Sequence, residues 1–439
     1  MATSYLTRTV TGSSTTKATY SAWVKRSGLG EKNLTAIKAG SDQCRITFTP
    51  DDELQVFMHD GSYQYRKVTD RLFRDTSGYY NIVIAFDSTE GAAGDRIKIY
   101  VNGVQETAFN NVTDPGASDD CFWFQSATGY LGIEENGSSN GFDGLMTHIN
   151  MIQGTAYAAS TFGEFDSTSG IWKIKTGPSV TYGSQGFFLK METTSGSGMG
   201  TDSSGNGNNY AENGSPTQTI DNPSNVLCTW NSLAQPNGTL SNGNLSVSGV
   251  EDTPGTLGVN KGKWYWEYKR TNTTNSLHWG ICSTKEGFNK TSNQMLNGLS
   301  NSVGAAIYIY EGGTGTTGHA NAAGFSSTSY SGVSTPSIAN GDIVGCALDI
   351  STSSGTLEWF NNGVSLGSAT FTYDDSVSVY PFVRQNSGST GDVNFGSGYF
   401  GTTAISSAGT SSTDDDSVWE YDCPANYYGL NTRNINTYG

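Results

Sequence analysis

The stretch Gly355–Phe371 reads GTLEWFNNGVSLGSATF. Two alternating runs flank Asn362-Gly363, and a type I′ turn needs positive φ at both central residues, which Asn and Gly tolerate best. The pattern predicts a tight antiparallel hairpin. A two-residue loop puts Leu357 and Trp359 on one face with Val364 and Leu366, opposite Glu358 and Ser365, and the apolar face belongs in a core. The same device stands earlier in the chain, where Arg96–Phe109 reads RIKIYVNGVQETAF about Asn102-Gly103. There Ile97, Ile99, Val101 and Val104 are expected to share a face, with Glu106 marking the sheet margin. Asn-Gly hairpins are common in all-β proteins, so the pair alone establishes no kinship.

Composition extends the reading. The chain has 439 residues, too many for one ordinary core, so two domains of about 200 residues each are expected. Gly accounts for 56 residues and Pro for only 10, with Ser, Thr and Asn throughout, as in chains of many short strands and turns. No long apolar stretch repeats with helical period. Aromatic residues make up 12% and recur inside alternating runs such as KWYWEYK, which argues for a folded all-β protein and against disorder. The net charge of -16, with no Lys/Arg cluster, argues against nucleic-acid binding. MATSYLTRTV has no apolar segment of signal-peptide length, and no run approaches the roughly 20 apolar residues of a membrane span. A product made in a cytoplasm, without membrane insertion, is expected. Cys44, Cys121, Cys228, Cys282, Cys346 and Cys423 lack metal-site spacing, and buried free thiols are expected; a Cys44–Cys121 disulfide stays open.

Strand-like runs follow one another from Tyr5 to Trp172, separated by turn signals at Gly40, Gly61, Gly78 and Gly103, a spacing suited to two packed antiparallel sheets. TAYAAS suggests a short helix. After SQGFFLKME comes a polar stretch expected to be an ordered, turn-rich connection. A second strand series runs from Leu245 to Phe395, and the aromatic end, with Trp419, Tyr421, Tyr427 and Tyr428, is expected to pack on a domain or a partner. The predicted organisation is a β-sandwich over 1–178, a connection over 179–239, a second β-sandwich over 240–400 and a C-terminal segment over 401–439.

The second series resembles a SPRY domain through GKWYWEYK, LHWGICS, NGDIVGCALDI followed by GTLEWFNNGVSLG, and YPFVRQNSGSTGDVNFG. The first resembles a LamG or concanavalin A-like lectin domain through YSAWVKRSG, YYNIVIAFDST, RIKIYVNGVQ and YLGIEENGSSNGFDGLMTHINMI. The implied fold is two concanavalin-like (jelly-roll) antiparallel β-sandwiches in tandem, and the SPRY resemblance implies loops that bind other proteins. Together with DSSGNGNNY and VWEYDCPANYYGLNTRNI, the pair resembles virion proteins of tailed bacteriophages, particularly marine ones. That resemblance implies a virion location, other virion proteins as partners, a host-surface glycan or protein as ligand, and a homo-oligomer, trimeric by analogy. A tail fibre or appendage is the expected role; capsid decoration is the alternative, since no coiled coil or shaft repeat is present.

Catalytic machinery is not apparent, and no enzyme is expected. A retaining glycosidase on such a fold needs two carboxylates about 5 Å apart. The nearest approach to a Glu-x-Asp-x-x-Glu pattern is Glu164-Phe165-Asp166-Ser167-Thr168-Ser169, which ends in Ser169. A polysaccharide depolymerase is therefore the less favoured alternative. The histidines His59, His148, His278 and His319 are dispersed, and no nucleophile elbow precedes a helix. No cofactor is required. Calcium is a candidate in the loop Asp202–Asn209, where Asp202, Asn206 and Asn208 bring hard oxygen atoms together; Asp114–Asp120 (DPGASDD) is a comparable acidic loop. Sugar recognition commonly pairs an aromatic ring with amides, and Tyr63, Tyr65, Tyr79, Tyr130, Asn136 and Asn140 lie near turns.

Overall fold

A computed structural model describes every residue except 1–3, 14, 193–197, 235–237, 250, 273–276, 285–303, 311–312, 316–324, 335–336, 386–387, 412–413 and 415–416. The chain divides into two compact units, Met1–Ser224 and Asn225–Gly439. Both are built almost wholly of antiparallel strands.

The first unit contains β1 (Tyr5–Val10), β2 (Lys17–Arg26), β3 (Lys32–Ala39), β4 (Asp42–Phe48), β5 (Glu53–Asp60), β6 (Ser62–Leu72), β7 (Tyr80–Asp87) and β8 (Ile97–Val101). It continues with β9 (Val104–Gln105), β10 (Phe109–Thr113), β11 (Ala127–Leu131), β12 (Gly144–Gln153), β13 (Gly163–Phe165), β14 (Trp172–Ile174), β15 (Phe187–Leu189) and β16 (Ala211–Asn213). An eight-stranded sheet has the order β10-β6-β5-β4-β3-β11-β1-β16, and a six-stranded sheet the order β15-β12-β2-β7-β8-β9. Alternation selects the core: Ala18, Tyr20, Ala22 and Val24 of β2 face the same buried cluster as Cys44, Ile46 and Phe48 of β4 and Ile97, Ile99 and Val101 of β8. The helix expected at TAYAAS is a single 3-10 turn, Ala159–Thr161.

The second unit contains β17 (Thr239–Ser241), β18 (Ser246–Ser248), β19 (Glu251–Pro254), β20 (Lys263–Asn272), β21 (Leu277–Thr284), β22 (Gly304–Tyr310), β23 (Gly313–Gly315) and β24 (Phe325–Ser331). It continues with β25 (Ile343–Asp349), β26 (Ser354–Asn361), β27 (Val364–Tyr373), β28 (Val379–Gln385), β29 (Thr390–Asn394), β30 (Tyr399–Phe400), β31 (Thr403–Ala404), β32 (Tyr428–Gly429) and the helix α1 (Thr432–Tyr438). Its larger sheet runs β17-β18-β29-β20-β25-β26-β27-β24, with β32 added beside β20, and its smaller one β19-β28-β21-β22-β23. Trp264, Trp266, Trp279 and Trp359 fill the core between them.

Neither flanking segment of the sequence reading stands apart. Within 179–239, β15 pairs with β12 and β16 with β1, and the buried carboxylate of Asp221 meets Lys25 Nζ at 2.9 Å. Cys228 and Trp230 instead enter the core of the second unit. The C-terminal segment lies on the larger sheet, with β32 parallel to β20 and Trp419 edge-on to Tyr265 at 5.0 Å. Glu267 of β20 holds it there. Its fully buried carboxylate accepts the backbone N–H groups of Glu420 and Tyr421, both at 2.9 Å. Burial pushes this acid up to about 7, against the pull of those hydrogen bonds.

The two Asn-Gly hairpins occupy equivalent places. The order β12-β2-β7-β8-β9 in one unit matches β29-β20-β25-β26-β27 in the other. Asn102 and Asn362 both have φ of 48°. Each exchanges hydrogen bonds with the start of the neighbouring strand: Asn102 Oδ1 accepts from the Asn81 N–H at 2.8 Å, and Asn362 Oδ1 from the Ile343 N–H at 2.9 Å. An aromatic ring lies against each turn glycine, Trp172 at Gly103 and Tyr421 at Gly363.

The valine after each turn corrects the expected core face. Val104 is 54% exposed and Val364 68%. Val104 sits on a two-residue edge strand. In the other hairpin the two-residue loop pairs Val364 with Asn361 at the tip, and a bulge between Trp359 and Phe360 shifts the register farther in. All six cysteines are buried and free, which closes the Cys44–Cys121 alternative.

Candidate functional site

Side chains that alternate with the core residues of the eight-stranded sheet point away from the sandwich, and strand register aligns them. Successive cross-strand pairs connect Thr7, Tyr130, Ala36, Arg45, Phe57 and Arg66 into one row. A second row joins Thr9, Thr128, Lys38, Gln43, His59 and Tyr63.

At one end the rows form an aromatic cluster. Tyr63 is 41% exposed, edge-on to Phe57 at 5.6 Å and to His59 at 5.1 Å. The Arg66 guanidinium stands 4.7 Å from the Tyr63 ring centre and donates to Gln55 Oε1 at 2.8 Å. Arg45 donates to Gln43 Oε1 at 3.0 Å and is paired with Glu134, at 2.6 Å, and with Glu135. The loop bearing those glutamates thus bounds the cluster on the side towards Tyr130, which packs 6.4 Å from Tyr5. An exposed ring, a guanidinium and several amides on one rigid sheet form a surface that can stack on a planar ligand face and hydrogen-bond its edge.

Of the six sugar-site candidates, only Tyr63 and Tyr130 lie on this face. Tyr65 points into the core, its hydroxyl 3.1 Å from Cys44 Sγ. Tyr79 donates to the Asp221 carbonyl at 2.9 Å, and burial pushes its phenol well up. Asn136 uses Oδ1 to accept from the N–H groups of Ser138 and Ser139, holding its own turn, and Asn140 donates to Glu134 at 3.0 Å. Phe57, Arg45, Arg66, Gln43 and Lys38 lie on the consecutive strands β3 to β6 and were missed because irregularities between Asn33 and Thr35 and between Met58 and His59 shift a register that simple alternation does not show. The available signals were the turns at Gly40 and Gly61 and period-two alternation within ELQVFMHD.

The Asp202 loop is wired to itself. Asp202 accepts the N–H groups of Phe188 and Ser204, the Ser204 hydroxyl and the Asn208 N–H, at 2.8 to 2.9 Å. The Asn206 amide donates to the carbonyls of Gly183 and Gly186, and the Asn208 amide to those of Ser184 and Gly186. One carboxylate whose acceptor positions face N–H and O–H donors does not fit a calcium ion, which takes 6 to 8 oxygen ligands. In DPGASDD, Asp119 accepts the Gly116 N–H at 2.6 Å and Asp114 lies 3.5 Å from Lys67 Nζ. Among the described residues no three His, Cys, Asp or Glu side chains group as a metal site.

The other chemical candidates are scattered. Asp166 accepts from Thr168, Ser169 and Lys173, whose hydrogen bonds hold its carboxyl low. Glu164 lies 3.6 Å from Lys175. His148 has φ of 48° beside Thr147, and burial lowers its pKa. His278 packs against Tyr308 and Tyr310. His59 alone joins the outer face, and His319 lies outside the described residues. No helix among the described residues is long and apolar enough to cross a membrane.

Residues 2–160 match the laminin G-type model of the concanavalin A-like lectin/glucanases superfamily, and residues 263–398 match the SPRY domain model. The chain carries a concanavalin A-like lectin domain and a SPRY domain. The two rows lie within the lectin-like domain. Similar solved structures include a SAP-like pentraxin from Limulus polyphemus (11% identity, 36% of this chain and 72% of that one, TM-score 0.27). The human HERC1 SPRY domain is another (16% identity, 37% and 96%, TM-score 0.25). A third is domain 4 of the arabinanase AbnA from Geobacillus stearothermophilus (18% identity, 33% and 64%, TM-score 0.25). No curated protein matches the chain.

Proposed function

We propose that this chain is a non-enzymatic binding protein of a bacteriophage particle, a tail-fibre or appendage component whose lectin-like domain engages host-surface glycan. The observation that carries the binding reading is the outward-facing cluster of Tyr63, Phe57, His59 and Arg66. These residues have no packing duty in the sandwich core. The particle assignment rests on the resemblance of the domain pair, with DSSGNGNNY and VWEYDCPANYYGLNTRNI, to virion proteins. Both of those segments are held by the fold, through Asp202 and Glu267, so neither is a detachable anchor.

The test combines binding to intact host cells, a glycan array and reducing-sugar release from host envelope, with antibody labelling of particles. Cell and glycan binding without sugar release, and label at the tail, are expected. Label on the head without host binding would favour capsid decoration, and sugar release would make the protein a depolymerase.

A further inference from the structure

On the two outer rows every charged or imidazole side chain is basic: Arg45, Arg66, Lys38 and His59. That bias runs against a chain of net charge -16. Arg45 is neutralised by Glu134 and Glu135. Arg66 rests on the neutral Gln55, and Lys38 is exposed with no ion pair among the described residues. Two acids stand at the ends of the strands, Asp42 and Asp60. Their mutual hydrogen bond raises the Asp60 carboxyl, and neither reaches Arg66 or Lys38. Three strand spacings and a two-residue step separate the backbones of Arg66 and Lys38 by roughly 16 Å. A single sugar does not span that distance.

The geometry points to an acidic polysaccharide as the ligand of this face, laid across β6 to β3 with a ring against Tyr63 and anionic groups at Arg66 and Lys38. This rests on the glycan-binding reading above. The half-buried amide of Gln43 is placed for a hydroxyl group, which favours a sugar chain over an acidic peptide.

The test measures binding of the full chain to polygalacturonate, dextran sulfate, uncharged dextran and polyglutamate. Polygalacturonate or dextran sulfate should bind, the stronger of the two showing whether carboxylate or sulfate is preferred, and dextran and polyglutamate should not. Arg66→Gln, Lys38→Gln and Tyr63→Ala should each weaken binding about tenfold or more, as loss of a charge-assisted or stacking contact does. Lys175→Gln, which removes the same charge elsewhere, should not. Raised salt should weaken the wild type far more than Arg66→Gln/Lys38→Gln. Unchanged melting temperatures show that the variants are folded. Equal binding of dextran or polyglutamate, absence of polyanion binding, or binding unmoved by these variants would overturn the inference. Positive signals on the glycan array and host cells would meanwhile leave the wider reading standing, and silence there would remove both.

Discussion

Acidification should stabilise the second unit, and Glu267 supplies the reason. Its folded-state pKa of about 7 lies above the ordinary 4.5 of a glutamate. Between those values an unfolded chain has released the proton while the folded one still holds it. Stability is therefore greatest below pH 4.5, falls as pH rises towards 7, and is flat in this group above that. A gap of 2.5 units (7 less 4.5) at 1.36 kcal/mol per unit amounts to about 3 kcal/mol. The chain carries 40 Asp and Glu residues, so the informative quantity is the difference between wild type and Glu267→Gln. Glutamine keeps the shape but turns an N–H₂ towards one of the two backbone donors, a penalty of about 1–3 kcal/mol that does not vary with pH. Urea unfolding of the full chain at pH 5, 6, 7 and 8, followed by tryptophan fluorescence and calorimetry to separate the two units, measures it. Wild type should lose ground to the variant by about 2–3 kcal/mol from pH 5 to pH 8 in the second unit's transition, since part of the effect is already lost at pH 5. Parallel curves would show that the hydrogen bonds from Glu420 and Tyr421 keep the carboxylate ionised, and the reasoning from burial would fail.

Three further outcomes are expected. Asp221→Ala removes the carboxylate from buried Lys25 and should destabilise the first unit by about 3–5 kcal/mol, with Asp221→Asn milder, in calorimetry of the first transition. Asp202→Ala should cost about 2 kcal/mol of stability, while added calcium or EDTA leaves the wild-type melting temperature where it is; a calcium-dependent rise would restore the metal reading. The six thiols should react with a thiol reagent only on unfolding, since all are buried and burial pushes Cys44, for one, up to about 12.

The fold was legible where local chemistry demanded it. Asn-Gly steps require positive φ, and alternation with aromatics at every other position requires a sandwich, so both hairpins and both domains could be read. The errors sit where tertiary register intervenes. Val104 and Val364 obey the alternation but lie at turn tips, one on a two-residue edge strand and the other paired with Asn361 beside the turn. Tyr63 and Tyr65 show the same limit at the candidate site. Two residues apart, they were indistinguishable in sequence, yet the irregularity between Met58 and His59 turns one to solvent and the other to the core. The Asp202 loop is a different case, because closely spaced Asp, Asn and Gly suit an Asx turn as well as a metal loop. Only the direction of Phe188 N–H and the Asn amides separates the two. The rows reach Thr128 and Tyr130 only through β11, whose pairing with β3 and β1 no local pattern encodes.

The two Asn-Gly turns have a consequence for chemical ageing. An Asn followed by Gly is prone to lose ammonia, when the glycine nitrogen attacks the side-chain carbonyl carbon and closes a succinimide. In both turns the Asn oxygen is pinned by a backbone N–H of the neighbouring strand, and an aromatic ring crowds the glycine. The side chain cannot swing into the attacking geometry without breaking that bond and displacing Trp172 or Tyr421. These two of the chain's ten Asn-Gly steps are thus protected by structure, and in long-stored protein the first conversions to aspartate should fall at other Asn-Gly steps.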